Sequence, residues 1–311
     1  FEGRPLTTRA LWLNPLVFLA YRIWAQLPMR QRAQRPVFIL GMGRSGTTVL
    51  GRILALHRDV GYLNEPKALW QAALGNDDLI GSYSKKPGRY RMNGGDLNAA
   101  KKRRLHRFYR VFLWLTRSRR IVDKYPELMF RDGLIDAAFP QARKVLLLRN
   151  GADTIRSVHA WSQNHSRNHD RRSCDDWWGR DRRKWHLLVD QLVAPDPYFA
   201  GALRQIRALS RQMDMAAVEW IVTMREAARL LEQQTAGLMV VRYEDLVAHP
   251  RRTLGEILRF CDLATDEVML RFGANVLQPR PSGALPDLDA AIAPLFADTM
   301  RALGYALGEA A

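Results

Sequence analysis

The sequence is poor in cysteine: Cys174 and Cys261 are the only two in 311 residues, too few for a disulfide framework and without metal-ligand spacing. That excludes a disulfide-stapled secreted domain and suits a reducing compartment. Long apolar runs are missing too. The nearest approach to a membrane span is Leu11 to Leu27, but Asn14, Arg22 and Gln26 interrupt it and a span needs about 20 apolar residues. No signal peptide with a small-residue cleavage site is visible; the chain begins at Phe1. Internal repeats, heptads and low-complexity tails are also absent. Acidic residues are scarce, 31 against 48 Lys and Arg, giving a net charge of +17 and a pI near 10.5. Such a chain attracts polyanions, whether nucleic acid, anionic lipid or a phosphorylated or sulfated ligand. Lysine is scarce as well, 8 against 40 Arg. Guanidinium grips oxyanions bidentately, although a GC-rich coding sequence yields the same bias.

The most informative absence is one lysine. Gly41-Met-Gly-Arg-Ser-Gly-Thr-Thr48 has the spacing of a phosphate-cradling loop, G-x-x-x-x-G-K-[ST], with Thr47 where a nucleoside triphosphatase keeps its lysine. Arg44 is the only nearby cation. Val37 to Leu40 reads as a strand and Val49 to His57 as a helix. In a strand-loop-helix unit of this kind backbone N–H groups converge on one point at a helix N-terminus, where an anion is stabilised.

With 47% hydrophobic residues the chain can bury one large α/β core. Further strands are expected at Val60–Leu63, Arg120–Asp123, Lys144–Leu148 and Leu238–Tyr243. Helices are expected over Glu127–Phe139, Met215–Gln234, from Pro250 onward and over Ala290–Leu303. Alternating strand and helix implies a central parallel sheet flanked by helices. Residues 75–104 are rich in Gly, Asn, Asp, Ser and Lys and read as a mobile loop, and residues 162–214 as an irregular helical insertion. Residues 1–35 form an N-terminal helical segment whose Trp12, Phe18, Tyr21 and Trp24 and following arginines suit a membrane interface. A helix packed on the domain is the alternative.

Ligands of an open parallel sheet bind beyond the carboxyl ends of its strands. Four strand ends carry chemistry: Arg44, Ser45 and Thr47 in the loop, then Glu65, Lys124 and Arg149. A cradle, a carboxylate and two cations on one edge suit transfer of an anionic group. Ser157, about two helical turns after Arg149, is placed to share a phosphate with it.

Gly41 to Leu54, Arg149 to Ser157 and Arg242 to Pro250 resemble the hallmark segments of sulfotransferases that use 3′-phosphoadenosine 5′-phosphosulfate (PAPS). The resemblance covers roughly Pro36 to Leu263, leaving 75–104 and 162–214 unmatched as substrate regions, and implies a P-loop NTPase-like sulfotransferase fold over 36–311. It implies that Arg44, Ser45, Gly46, Thr47 and Thr48 bind the 5′-phosphosulfate, that Arg149 and Ser157 bind the 3′-phosphate and that Arg280 closes over it. It implies PAPS as donor, PAP as product and no metal, which accounts for the missing lysine, since a sulfuryl group carries less charge than a γ-phosphoryl group. Glu65 is the expected base, as in the carbohydrate- and tyrosine-modifying branches, with His57 and His159 as alternatives. Lys124 is expected to stabilise the leaving oxygen and Arg44 to assist. Tyr243, Glu244 and Asp245 are expected to support the fold. The implied acceptor is a hydroxyl, less readily an amine, of a carbohydrate, glycolipid or other amphiphile. A P-loop small-molecule kinase and a non-enzymatic polyanion binder are the rival readings. No specific nucleic-acid motif is present. A cytoplasmic setting is expected, peripheral at the inner face of a membrane if residues 11–35 touch one; the alternative is a trimmed luminal domain of a Golgi-type enzyme.

Overall fold

A computed structural model describes residues 10–28, 35–165, 167–170, 173–279 and 283–307. In chain order the strands are β1 (Val37–Leu40), β2 (Val60–Asn64), β3 (Arg120–Lys124), β4 (Arg143–Leu148), β5 (Arg167–Asp170), β6 (Ser173–Asp176), β7 (Gly179–Arg180) and β8 (Leu238–Arg242). The helices are α1 (Asn14–Trp24), α2 (Thr47–Leu54), α3 (Lys67–Leu74), α4 (Ala99–Thr116), α5 (Asp132–Ala138), α6 (Gly151–His165), α7 (Arg183–Leu188), α8 (Leu203–Ala208), α9 (Gln212–Glu232), α10 (Tyr243–Ala248), α11 (Pro250–Phe260), α12 (Glu267–Val276) and α13 (Ala293–Ala302).

Five strands form a parallel sheet in the order β2-β3-β1-β4-β8. Its short apolar strands lack polar alternation because both faces are covered, as a parallel sheet with crossover helices requires. In β1, Phe38 and Leu40 enter one core with α3, α4, α5, α6 and α9, while Val37 and Ile39 enter a second core with α2, α11 and α12. The first strand pairs with β3 on one side and β4 on the other, so the chain runs outward in both directions from β1. The carboxyl end of β1 is therefore the switch point at which ligands of such sheets bind.

Two expectations need correction. The tract 75–104 is not one loop: Asn98 caps α4 by accepting a hydrogen bond from the Lys101 amide at 2.9 Å, so Lys101 to Arg104 are helical. Alanine, lysine and arginine are good helix formers, and a cap of this type starts a helix without any apolar periodicity. The insertion 162–214 is not purely helical either, because β5, β6 and β7 form a three-stranded antiparallel sheet. Arg-Asn-His-Asp and Ser-Cys-Asp-Asp carry no apolar alternation, the signal by which a half-buried strand is read. Trp177, Trp178 and Trp185 are buried, with Trp178 and Trp185 edge-to-face at 5.4 Å. They are core residues, although the sequence alone permits a sugar face or lipid surface as the role of tryptophans in this insertion. The N-terminal helix α1 packs on the domain through Tyr21, whose ring lies 5.0 Å from that of Phe108.

Candidate active site

The glycine loop is shaped by backbone needs. Gly41 (φ 135°) would bring a Cβ within 2.6 Å of the Leu147 carbonyl oxygen, and Gly46 (φ 96°) within 2.4 Å of Tyr243 Cδ2. Positive φ is cheap only for glycine, so both positions are fixed by the turn and by close approach. Arg44 adopts φ 71° without that freedom. Ser45 Oγ donates to the Met42 carbonyl at 2.7 Å and ties the turn together. Gly46 caps α2, and the hydroxyl of Thr47 in its first turn is buried without a hydrogen-bond partner. An orphaned hydroxyl at a helix N-terminus is a built receptor for an anion. Thr48 follows on the same first turn.

Arg149 follows β4 and reaches back to this loop. Its Nη1 donates to the Arg44 carbonyl at 2.8 Å, its guanidinium lies 4.4 Å from the centroid of the Tyr243 ring, and its Nε is buried without a partner. Arg44 Nε in turn donates to Ser157 Oγ on α6 at 3.2 Å. The structure thus brings Arg44, Arg149 and Ser157 together. Arg280 lies outside the described residues. Just beyond it, the Gly283 amide donates to Asp153 Oδ1 at 3.4 Å and Arg156 donates to the Ala284 carbonyl, so the chain returns against α6.

Glu65 and Lys124 end neighbouring strands, Asn64 being in register with Lys124. The Glu65 amide donates to the Lys124 carbonyl and the Lys67 amide donates to the Glu65 carbonyl, both at 2.7 Å. These two bonds hold Glu65 at φ 47°, a conformation that costs a non-glycine residue on the order of 1 kcal/mol and clusters at functional sites. Its carboxylate meets Lys124 Nζ at 2.7 Å, with side-chain exposures of 13% and 2%. A small cavity of about 20 Å³ adjoins the pair, lined by Glu65, Lys67, Ile80, Glu127, Trp177 and Lys184. Among these, sequence reasoning singles out Glu65 as a catalytic candidate and Trp177 only as an aromatic suited to a sugar face or lipid surface. Burial works against the charge of Glu127, yet the ammonium groups of Lys67 and Lys184 hold its carboxyl below the usual range. Lys184 pairs with Glu219 at 2.5 Å, and Glu219 accepts from Trp177 Nε1 at 2.6 Å. A Cβ on Gly43 would lie 2.5 Å from the Trp177 ring, so this indole packs between the anion loop and the Glu65 cavity.

The model of the Sulfotransferase family matches residues 36–206. The chain belongs to this family. Among solved structures, the sulfotransferase domain from the curacin biosynthetic pathway is similar at 16% identity and a TM-score of 0.53, covering 89% of this chain and 100% of that one. The sulfotransferase domain of the Synechococcus PCC 7002 olefin synthase is similar at 20% identity and a TM-score of 0.52, covering 91% and 98%. At these identities the likeness shows the fold. No curated protein sequence matches significantly.

Around the candidate site of this sulfotransferase lies a buried polar layer. Asp123, beside Lys124, accepts hydrogen bonds from Trp70 Nε1 at 3.1 Å and Tyr109 Oη at 2.6 Å, and burial pushes its carboxyl up to about 7. Asp77 pairs with Arg131 and accepts from Tyr125 Oη at 3.1 Å; burial pushes it up to about 6 against the pull of Arg131. His57 is committed elsewhere: Nδ1 accepts from the Asp59 amide at 3.1 Å, which leaves the proton on Nε2 facing the Ala264 carbonyl at 3.0 Å. That occupation of both ring nitrogens argues against His57 as a base. His159 sits within α6, 3.0 Å from the Gln163 amide nitrogen. Tyr243, expected only to support the fold, touches both Gly46 and Arg149. It is the residue after β8, and the strand-end rule applied to that strand would have found it. Glu244 does support the fold, accepting from the Asn150 amide at 2.9 Å.

Proposed function

We propose that the enzyme transfers a sulfuryl group from PAPS to a hydroxyl of a carbohydrate, glycolipid or other amphiphilic acceptor and releases PAP. The observation that carries this reading is the Glu65–Lys124 pair, held by strand ends and a strained backbone beside a small cavity. PAPS supplies the activated sulfuryl group. Backbone N–H groups from Gly46 to Thr48 and the hydroxyls of Thr47 and Thr48, with Arg44, hold the phosphosulfate end, while Ser45, whose amide and hydroxyl both donate to the Met42 carbonyl, shapes the loop. Arg149 and Ser157 hold the 3′-phosphate. The orphaned Thr47 hydroxyl and Arg149 Nε support that assignment.

Glu65 takes the proton of the acceptor hydroxyl as its oxygen bonds to sulfur and the bond from sulfur to the leaving phosphate oxygen breaks. Proton removal of this kind contributes about 10²- to 10⁴-fold. Lys124 neutralises charge developing on the leaving oxygen, a service worth on the order of 3 kcal/mol for one well-placed donor. The chemistry asks nothing of a metal. We place the enzyme in the cytoplasm, which its two cysteines support; among the described residues no helix is long and apolar enough to cross a membrane.

Two measurements test the reading. PAP should raise the melting temperature even at high salt, since a ligand at 100 times its Kd adds about 2.7 kcal/mol of stability. A panel of hydroxylated acceptors with sulfur-labelled PAPS should yield labelled ester. Phosphoryl transfer from ATP with Mg²⁺, together with no transfer from PAPS, would overturn it.

A further inference from the structure

The N-terminal helix is apolar on two faces, and the domain uses only one. Val17, Phe18, Tyr21 and Trp24 pack on the core. Trp12, in the 3₁₀ turn Leu11–Leu13 that leads into α1, and Leu16, Leu19 and Ile23 on α1 itself, spaced four, three and four residues apart, form a second stripe that is 76%, 62%, 51% and 56% exposed. Residues at that spacing share one side of a helix, and a contiguous exposed apolar stripe marks an interaction surface.

Charge identifies the occupant. No acidic residue occurs between Glu2 and Asp59, and none from Leu97 to Val122. The second of these tracts contains α4, which packs beside α1 through Phe108 and donates from Arg107 to the Ala25 carbonyl. Arg22 on α1 and Arg103 on α4 are exposed, and α4 ends on exposed Trp114 and Leu115 followed by exposed Arg117 and Arg119. Asp59 meets Arg119 at 3.7 Å at the end of this face; the apolar side chains with tryptophan, set among the other cations, match a bilayer carrying anionic headgroups. A second copy of this chain would bring like charges together. We infer that α1, with the basic face of α4 beside it, seats the protein on an anionic phospholipid surface.

The seat lies next to the acceptor side of the active site. Asn14 Nδ2 donates to the Ser82 carbonyl at 3.3 Å, and the rings of Phe18 and Tyr83 meet at 5.5 Å. Tyr83 and Lys85 line one wall of a cleft of about 710 Å³, and Arg180, Arg183 and His186 line the other. Ile80 and Lys184, adjacent to those walls in sequence, line the Glu65 cavity. Docking through α1 therefore sets this basic cleft beside the headgroup layer, and on the sulfuryl-transfer reading it favours an acceptor presented by the membrane.

Vesicle flotation tests the seat independently of turnover. The full chain should float with phosphatidylcholine vesicles doped with phosphatidylglycerol, much less with pure phosphatidylcholine, and less at high salt. Combining Trp12→Ala, Leu16→Ser and Ile23→Ser should lower the partition coefficient at least about 10-fold, with the melting temperature unchanged because these side chains face solvent. Trp12→Ala alone, before α1 begins, should lower it in the same direction and guards against misfolding of the triple variant. Arg22→Glu with Arg103→Glu should erase the preference for the anionic lipid. Equal flotation of wild type and the triple variant would show that diffuse charge suffices and would overturn the proposal. So would absence of flotation in the wild type, or a wild-type dimer in solution that the triple variant converts to monomer.

Discussion

At the proposed donor end of the site, Gly41 to Thr48 form a continuous loop whose shape comes from main-chain geometry, with Arg149 and Ser157 added from the end of β4 and from α6. At the acceptor end, Glu65 shares a cavity with Lys67, Glu127, Trp177 and Lys184, which come from three separate stretches of chain and meet through buried ion pairs. The first is a backbone receptor; the second is an assembly of charges in a dry wall. Backbone receptors tolerate the loss of one side chain by degrees. A buried charge network does not, because removing one partner strands the other.

The largest effect expected from a single change falls at the acceptor end. Glu65→Gln keeps the volume and leaves Lys124 an oxygen partner, so the fold should survive while turnover drops about 10³-fold with PAP affinity retained. A variant turning over near the wild-type rate would remove Glu65 as the base. At the donor end, Arg149→Ala should weaken PAP binding by about 2 kcal/mol, a charged hydrogen-bonding contribution, and Ser157→Ala by about 1 kcal/mol. Titration calorimetry should show smaller losses for the analogue lacking the 3′-phosphate. Equal losses for both nucleotides would break the proposed division of the donor site.

The smallest effect concerns Asp123, in the layer behind the Glu65–Lys124 pair. Its folded carboxyl is pushed up to about 7 by burial, above the ordinary aspartate value of about 3.9. Between those values the native state binds more protons than the unfolded state, so stability falls as pH rises. The contribution is complete below about pH 4 and lost as pH passes 7. Asp123→Asn keeps an acceptor for Trp70 and Tyr109 and removes that titration. The melting-temperature difference, variant minus wild type, should therefore grow from pH 4 to pH 7, and a flat difference would show that Asp123 is not the group responsible.

The same contrast explains what could be read from the sequence. The five sheet strands and the anion loop were legible because each is a local run with its own signal, apolar β-formers or glycines at fixed spacing. Glu65, Lys124 and Arg149 were legible because the ends of parallel strands must share an edge. Lys67, Glu127, Lys184 and Glu219 were not. Each looks like an ordinary charged residue until the chain folds, and their pairing depends on where the 162–214 segment lands. The sheet within that segment was hidden for a related reason, since the sequences of its strands are polar and carry no apolar alternation.

Trp177 fits against Gly43 so closely that any side chain at position 43 would need a smaller ring opposite it. Distant in the chain, the two residues share one allotment of space. A side chain at one position is expected to require a smaller partner at the other, so the wall beside Glu65 carries the constraints of the glycine loop.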